Sequence, residues 1–267
     1  MESKVTSSVK GKWALVLGAS SGFGEAISLK LAEVGMNIVG VHLDRKGTLP
    51  HVEEVIQKIK GHGVKAHFFN ANAADKEKRK EILADLQKNV EGGIHCLVHS
   101  LAFGTLKPFT STEDKDRISQ EQMEMTLDVM AHSLVYWTQD LMSTKLLQKG
   151  SRIFAMTSSG GTRVWPTYGA VSAAKAALES HCRQLALELG KEAIAVNAIR
   201  AGVTDTPALR KIPGNEQMIE SALQRNPGGR LTTPHDIAEI ISLLVLPEAR
   251  WMTGNVLGVD GGEDIIG

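Results

Sequence analysis

Residues 12–24 read Lys12-Trp13-Ala14-Leu15-Val16-Leu17-Gly18-Ala19-Ser20-Ser21-Gly22-Phe23-Gly24, an apolar run that stops at a glycine-rich turn. Beyond the turn, Ala26, Ile27, Leu31 and Val34 recur at helical spacing and Gly35 supplies a stop. The pattern predicts a buried strand over 12–17 and a helix whose free N–H groups and positive dipole end face the turn between them. That is the opening half of a mononucleotide-binding unit. The spacing is G-x-x-x-G-x-G, not the commoner G-x-G-x-x-G. Glycines alone suit a structural turn equally well, and their place between strand and helix favours a diphosphate cradle.

The same alternation continues to the C-terminus. Strands are expected over 37–43, 64–69, 94–99, 152–156, 193–199 and 255–259. Between them lie amphipathic segments. One starts near Pro50 with Val52, Val55, Ile56 and Ile59; a second is N-capped by Asp75 and carries Ile82, Leu83 and Leu86. A Ser119-x-x-Gln122 capping box opens a helix running past Met142, and Thr233-Pro234 opens the last one. Strands alternating with helices, without a strong hairpin signal, predict an α/β fold: a single-domain doubly wound parallel sheet of Rossmann type, about seven strands, flanked by helices on both faces. No linker or internal repeat divides residues 1–267, and the segment at about 207–230 reads as a lid. Right-handed crossovers then gather the strand C-termini along one edge, where ligands bind.

Composition narrows the function. Hydrophobic residues make up 42% and charged residues 22%, which suits a packed globular core. Thirty basic and thirty acidic residues cancel, so nucleic acid is excluded as the main partner. The N-terminal stretch Met1 to Lys10 is polar, and no apolar run reaches the roughly 20 residues that span a bilayer. Cys96 and Cys182 have no metal-ligand spacing and read as reduced core thiols, so a cytoplasmic protein without a metal is expected.

A second stretch, 157–175, reads T-S-S-G-G-T-R-V-W-P-T-Y-G-A-V-S-A-A-K. Seven residues at about 100° each come within about 20° of two full turns, so Tyr168 and Lys175 share a helix face. A phenol and an ammonium there make a proton donor with an electrostatic helper. Thr157, Ser158 and Ser159, at the end of a predicted strand, add hydroxyls nearby. Asp44 lies 20 residues past Gly24, where an acid holds the adenosine ribose hydroxyls. Arg45 and Lys46 beside it suit a 2'-phosphate, so NADH and NADPH both stay open.

Taken together, the glycine turn, the serine-rich strand end, the Tyr–Lys helix and the terminal Val259-Asp260-Gly261-Gly262 resemble the short-chain dehydrogenase/reductase family over nearly the whole chain. Three departures from its usual pattern resemble one branch, the enoyl-[acyl-carrier-protein] reductases. Ser172 stands at the usual lysine position, with Lys175 three further on; His99-Ser100-Leu101-Ala102 replaces Asn-Asn-Ala-Gly; and Asp128 replaces an asparagine. Asp205-Thr206-Pro207-Ala208-Leu209 and Asn226-Pro227-Gly228-Gly229-Arg230 resemble the type III, NADPH-preferring variant. The second tyrosine usual ten residues before the catalytic one is here Ser158.

The resemblance implies reduction of a trans-2-enoyl thioester in fatty-acid synthesis, with Tyr168, Lys175 and Ser158 as catalytic residues. Whether Ser158 or Thr157 contacts the substrate stays open. It implies a nicotinamide cofactor, with NADPH slightly favoured. Gly18, Ser20, Ser21, Gly22, Phe23 and Gly24 would line its diphosphate, and Asp44 and Arg45 would meet its ribose. Asn72 and Ala73 would lie near the adenine, Ser100, Leu101 and Ala102 along the cleft edge, and Gly202, Val203 and Thr206 at the carboxamide and diphosphate. Ala208, Leu209, Ile212, Met218, Ile219 and Leu223 would line an acyl channel under the lid. Arg210, Lys211, Arg225 and Arg230 form a basic patch suited to an acidic acyl carrier protein. The small face of Ala170, Ala173, Ala174 and Ala177 suits a homotetramer or dimer. A 3-oxoacyl-carrier reductase or other carbonyl reductase of the family is the nearest rival, and a non-catalytic nucleotide-binding scaffold a more distant one.

Overall fold

A computed structural model of the protein describes residues 8–266, so the polar stretch at residues 1–7 lies outside it. Among the described residues seven strands form one sheet: β1 (Trp13–Leu17), β2 (Asn37–His42), β3 (Ala66–Asn70), β4 (Ile94–His99), β5 (Leu147–Ser158), β6 (Ala195–Ala201) and β7 (Val256–Val259). Their order is β3-β2-β1-β4-β5-β6-β7 and every pairing is parallel. All five residues of β1 are buried, as a central strand covered on both faces requires. The order reverses between β1 and β4, which makes the ends of those strands the switch point of the fold.

Helices cover both faces. On one side α1 (Gly22–Glu33), α2 (Leu49–Gly61) and α8 (Pro234–Leu244) bury Ile27, Leu31, Ile59, Ile237 and Ile241 against the sheet. On the other lie α3 (Lys76–Asn89), α4 (Gln120–Leu127), α5 (Ser133–Ser143) and α6 (Gly169–Leu189), with Leu86, Leu134, Trp137 and Leu178 in the core. A short helix, α7 (Asn215–Arg225), sits above the strand ends. Cys96 and Cys182 are buried free thiols, each pushed up to about 12 by burial.

Start signals read from the sequence hold. Asp75 accepts from the Glu77 and Lys78 amides, and the Ser119/Gln122 and Thr233/Asp236 capping boxes are both formed. Two elements differ from expectation. β5 begins at Leu147, well before residue 152, because Leu147 pairs with Ile94 ahead of a register shift; the polar Gln148-Lys149-Gly150 hides that start from a hydrophobic pattern. The helix expected from Ser119 past Met142 is interrupted by a π turn, Asp128–His132, between α4 and α5. One wide turn leaves the apolar spacing on either side intact, so nothing in the pattern marks it.

Candidate active site

The glycine turn closes over the switch point. Gly18 has φ +88°, and a Cβ there would run into the Ser100 carbonyl at the end of β4. Only glycine fits at that seam. Ser21 caps α1 in extended conformation, and Gly22 faces the Thr206 side chain across the cleft, 3.6 Å from where its Cβ would lie. Ser21, Gly22 and Phe23 thus meet Ser100, Leu101, Ala102, Gly202, Val203 and Thr206 around one cavity of about 420 Å³.

Tyr168, Lys175 and Ser158 line the same cavity. Tyr168 stands at the N-cap of α6, just outside its regular turns, and its carbonyl accepts the Ser172 amide at 2.8 Å, so its side chain still shares a face with Lys175. The preceding Thr167 has φ +64°, which strains a β-branched residue immediately before the phenol. Ser172, at the usual lysine position, donates its hydroxyl to the Gly160 carbonyl and is thereby occupied.

Lys175 is buried, and its ammonium donates to the Met156 carbonyl at 2.7 Å. Burial lowers it to about 8, against the pull of Glu179 one turn along α6. Glu179 in turn accepts the Thr157 hydroxyl at 2.7 Å, which commits that hydroxyl to the helix, while Thr157, Ser158 and Ser159 all line the cavity. Burial raises the Tyr168 phenol and Ser158 opposes it; the expected acidification by Lys175 is not found. The two hydroxyls approach without a well-aligned bond, since Ser158 Oγ is buried and unpaired. His99 packs behind Lys175, and its Nε2 meets the Ser133 hydroxyl at 2.8 Å. Because that hydroxyl donates to the Val129 carbonyl, Nε2 carries the ring proton.

Several predicted residues stand outside this cavity. Gly24 lies in α1 against the Gly18 carbonyl. Asp44 sits at the end of β2, where its carboxylate meets His42 Nδ1 at 2.9 Å. Burial works to raise Asp44, but hydrogen bonds from Ser20, Thr48 and His42 outweigh it and hold the group below the usual carboxylate range. Arg45 is exposed. Asn72 closes its own turn by accepting the Ala74 amide at 3.0 Å, and Ala73 is buried with its carbonyl bonded to Trp137.

Over the cavity, Ala208, Leu209, Ile212 and Met218 line the wall as expected, together with Ser221 and Arg225 of α7. Ile219 and Leu223 do not, and Leu223 points to solvent. The sequence reading missed Leu106, Met130, Trp165, Val171 and Thr204, which also line the cavity. Thr204 could have been found beside Val203, and Val171 by its helical spacing between Tyr168 and Lys175; Leu106, Met130 and Trp165 come from separate elements with no shared signal. The basic patch is mostly neutralised within the chain. Arg210 is bidentate to Asp205 at 2.7 and 2.9 Å, Arg230 to Asp236 at 2.7 and 2.8 Å, and Arg225 faces Glu263. Among the described residues Lys211 has no carboxylate partner.

A dinucleotide fits these residues: a glycine cradle at a helix N-terminus, an ionised Asp44 at the β2 end, and a buried ammonium with an unpaired hydroxyl facing one cleft.

The chain matches the family model described as enoyl-(acyl carrier protein) reductase over residues 18–263. It is 27% identical to a 3-oxoacyl-[acyl-carrier-protein] reductase of Thermotoga maritima, over 95% of this chain and 98% of that one. It is 29% identical to an enoyl-[acyl-carrier-protein] reductase [NADH] of Aquifex aeolicus, over 97% and 93%. The crystal structure of the Aquifex aeolicus enzyme superposes with a TM-score of 0.83, at 27% identity and 97% and 98% coverage. A dehydrogenase/reductase of Sinorhizobium meliloti gives the same TM-score at 28% identity, covering 99% of this chain and all of that one.

Proposed function

The chain belongs to the short-chain dehydrogenase/reductase family, and from that premise we propose that it reduces trans-2-enoyl thioesters with a nicotinamide cofactor. Enoyl and 3-oxoacyl reductases lie at similar identity to it, so identity does not choose between them. The observation that carries the choice is the helix: Lys175 reaches the Met156 carbonyl on β5, and Ser172 is spent on Gly160. Seven residues of α-helix rise about 10 Å. Lys175 therefore serves the cofactor, and Tyr168 faces the substrate alone apart from Ser158.

When bound, the reduced nicotinamide supplies a hydride to the substrate Cβ. Negative charge then develops on the thioester oxygen, three bonds beyond the carbon attacked. Tyr168 donates a hydrogen bond to that oxygen and holds the enolate, and Ser158 is the second donor. Lys175 would bind the nicotinamide ribose hydroxyls, and Gly22 with the α1 N-terminus would hold the diphosphate. The apolar wall formed by Leu106, Met130, Val171, Leu209, Ile212 and Met218 receives the acyl chain.

For the nucleotide, the resemblance leans to NADPH, while Asp44 supports NADH. A 2'-phosphate beside this ionised, hydrogen-bonded carboxylate would meet like charge. A lower KM for NADPH than for NADH would overturn that preference.

The acyl carrier would approach Lys211 at the cavity mouth. Ala170 and Ala174 are buried within the chain, so Ala173 and Ala177 are what α6 offers a second subunit of a dimer or tetramer. Light scattering tests the oligomer. The reaction is tested by following NADH and NADPH oxidation with crotonyl and acetoacetyl thioesters in parallel. Turnover of crotonyl thioester supports enoyl reduction, turnover of acetoacetyl thioester alone supports the carbonyl rival, and tight nucleotide binding with neither supports a scaffold.

A further inference from the structure

Two adjacent carboxylates of the C-terminal turn Glu263–Ile265 take no part in that chemistry, yet they reach three sides of the cavity. Glu263 is 3% exposed. Its Oε2 accepts the Val203 amide at 2.9 Å, and its Oε1 faces Arg225 Nη2 of α7 at 3.7 Å. Asp264 pairs with Arg163 Nε at 3.1 Å and Arg200 Nη1 at 2.9 Å, and its carbonyl accepts Arg163 Nη2 at 3.0 Å. Val203, Arg163 and Arg225 all line the cavity, on the β6 exit, the β5–α6 loop and the lid helix respectively. The fit is close at the β6 exit: a Cβ on Gly202 would lie 2.9 Å from Glu263 Oε2 and against the Thr232 hydroxyl.

We propose that Glu263 is a positioning residue that couples the lid helix α7 to the nucleotide-binding end of β6, one carboxylate oxygen holding Val203 and the other facing Arg225. The proposal rests on reading α7 as the cover of the acyl cavity. Burial raises the Glu263 carboxyl and Asp260 adds to that, while the Val203 amide, Arg225 and Arg163 favour the ionised form. Both oxygens belong to one buried, rigid group, so a displacement of α7 is felt at Val203. Coupling of this kind is reciprocal: an acyl group that closes α7 tightens nucleotide binding by the factor that nucleotide tightens the acyl group.

Two substitutions separate the two oxygens. Glu263→Gln keeps an acceptor for Val203 and removes the charge opposite Arg225. Glu263→Ala removes both and leaves a buried amide unsatisfied. In the full-length enzyme, NADH dissociation constants are read by fluorescence, kcat and KM with crotonyl thioester, and amide hydrogen exchange over residues 215–225.

For Glu263→Gln the nucleotide constant should stay within about twofold while acyl KM rises about fivefold and exchange in α7 speeds up, as loss of a part-exposed ion pair predicts. For Glu263→Ala the nucleotide constant should also rise about tenfold, the effect of an orphaned buried donor. Unchanged nucleotide binding in Glu263→Ala, or unchanged α7 exchange in Glu263→Gln, would overturn the coupling. If Glu263→Ala melts too low to measure, the isosteric Gln variant and its exchange data still decide. If only acetoacetyl thioester is turned over, the enoyl reading fails while nucleotide binding and exchange still test the coupling.

Discussion

Burial takes the Lys175 ammonium out of water and leaves it a single carbonyl, Met156, as hydrogen-bond partner. Its pKa of about 8 lies below the ordinary 10.5, so between those values the unfolded chain binds more protons than the folded one. Stability should therefore rise with pH across that window. Below it, the buried charge costs on the order of 3 kcal/mol. Activity should run the opposite way, since the proposed ribose-binding form is the ammonium. The value of kcat/KM for nucleotide, which reports the free enzyme, should fall as pH rises through about 8. Glu179→Gln removes the charge that raises Lys175, so its fall should begin at lower pH; superimposable profiles would count against the assignment. Tyr168→Phe deletes the proposed enolate donor, and kcat should drop about 10² to 10³-fold while nucleotide affinity stays within about twofold. Stopped-flow turnover with fluorescence titration checks both. Lys175→Ala should weaken both quantities, and normal nucleotide binding in that variant would remove Lys175 from the ribose.

Elements differ in how far their chemistry can be read from local sequence. β1, the glycine turn and α1 are legible because each depends on neighbours in the chain: an apolar run, residues free of Cβ, a helical repeat. The Tyr168–Lys175 pair is legible for the same reason, since helix geometry alone puts two residues on one face. The proposed lid is only half legible. Its apolar residues are evident, but which of them turn inward depends on how α7 sits at the cavity, and Ile219 and Leu223 are not among the lining residues. The basic patch misleads because charge counted along the chain takes no account of partners. Asp205 lies five residues before Arg210 and pairs with it, Asp236 six after Arg230. A carrier protein should then depend on Lys211 more than on Arg210. Lys211→Glu should raise KM for a carrier-linked enoyl substrate several-fold more than for the coenzyme A thioester, by loss of long-range attraction that salt screens. Equal effects on the two substrates, or no salt dependence, would rule out a carrier surface there.

Across the whole molecule, alternating strands and helices were enough to foresee a parallel sheet covered on both faces, and the two cores bear that out. What alternation cannot show is contact between distant residues. Glu263 meets Val203 and Arg225, and Ser20 meets Asp44, only after the sheet has formed. Nucleotide binding should stabilise the fold as a unit: at a hundredfold excess over Kd, about 2.7 kcal/mol, or several degrees in melting temperature. Differential scanning fluorimetry with and without NADH measures it. The approach of Gly22 to Thr206 across the cleft has a related consequence for a cut chain. A nick in the exposed stretch 110–117, between β4 and α4, would leave one fragment carrying the glycine cradle and another carrying Tyr168, Lys175 and Thr206. A dinucleotide lying across the cleft would touch both. It should act as a splint, so that the nicked protein stays associated with NADH and separates into its two pieces sooner without it.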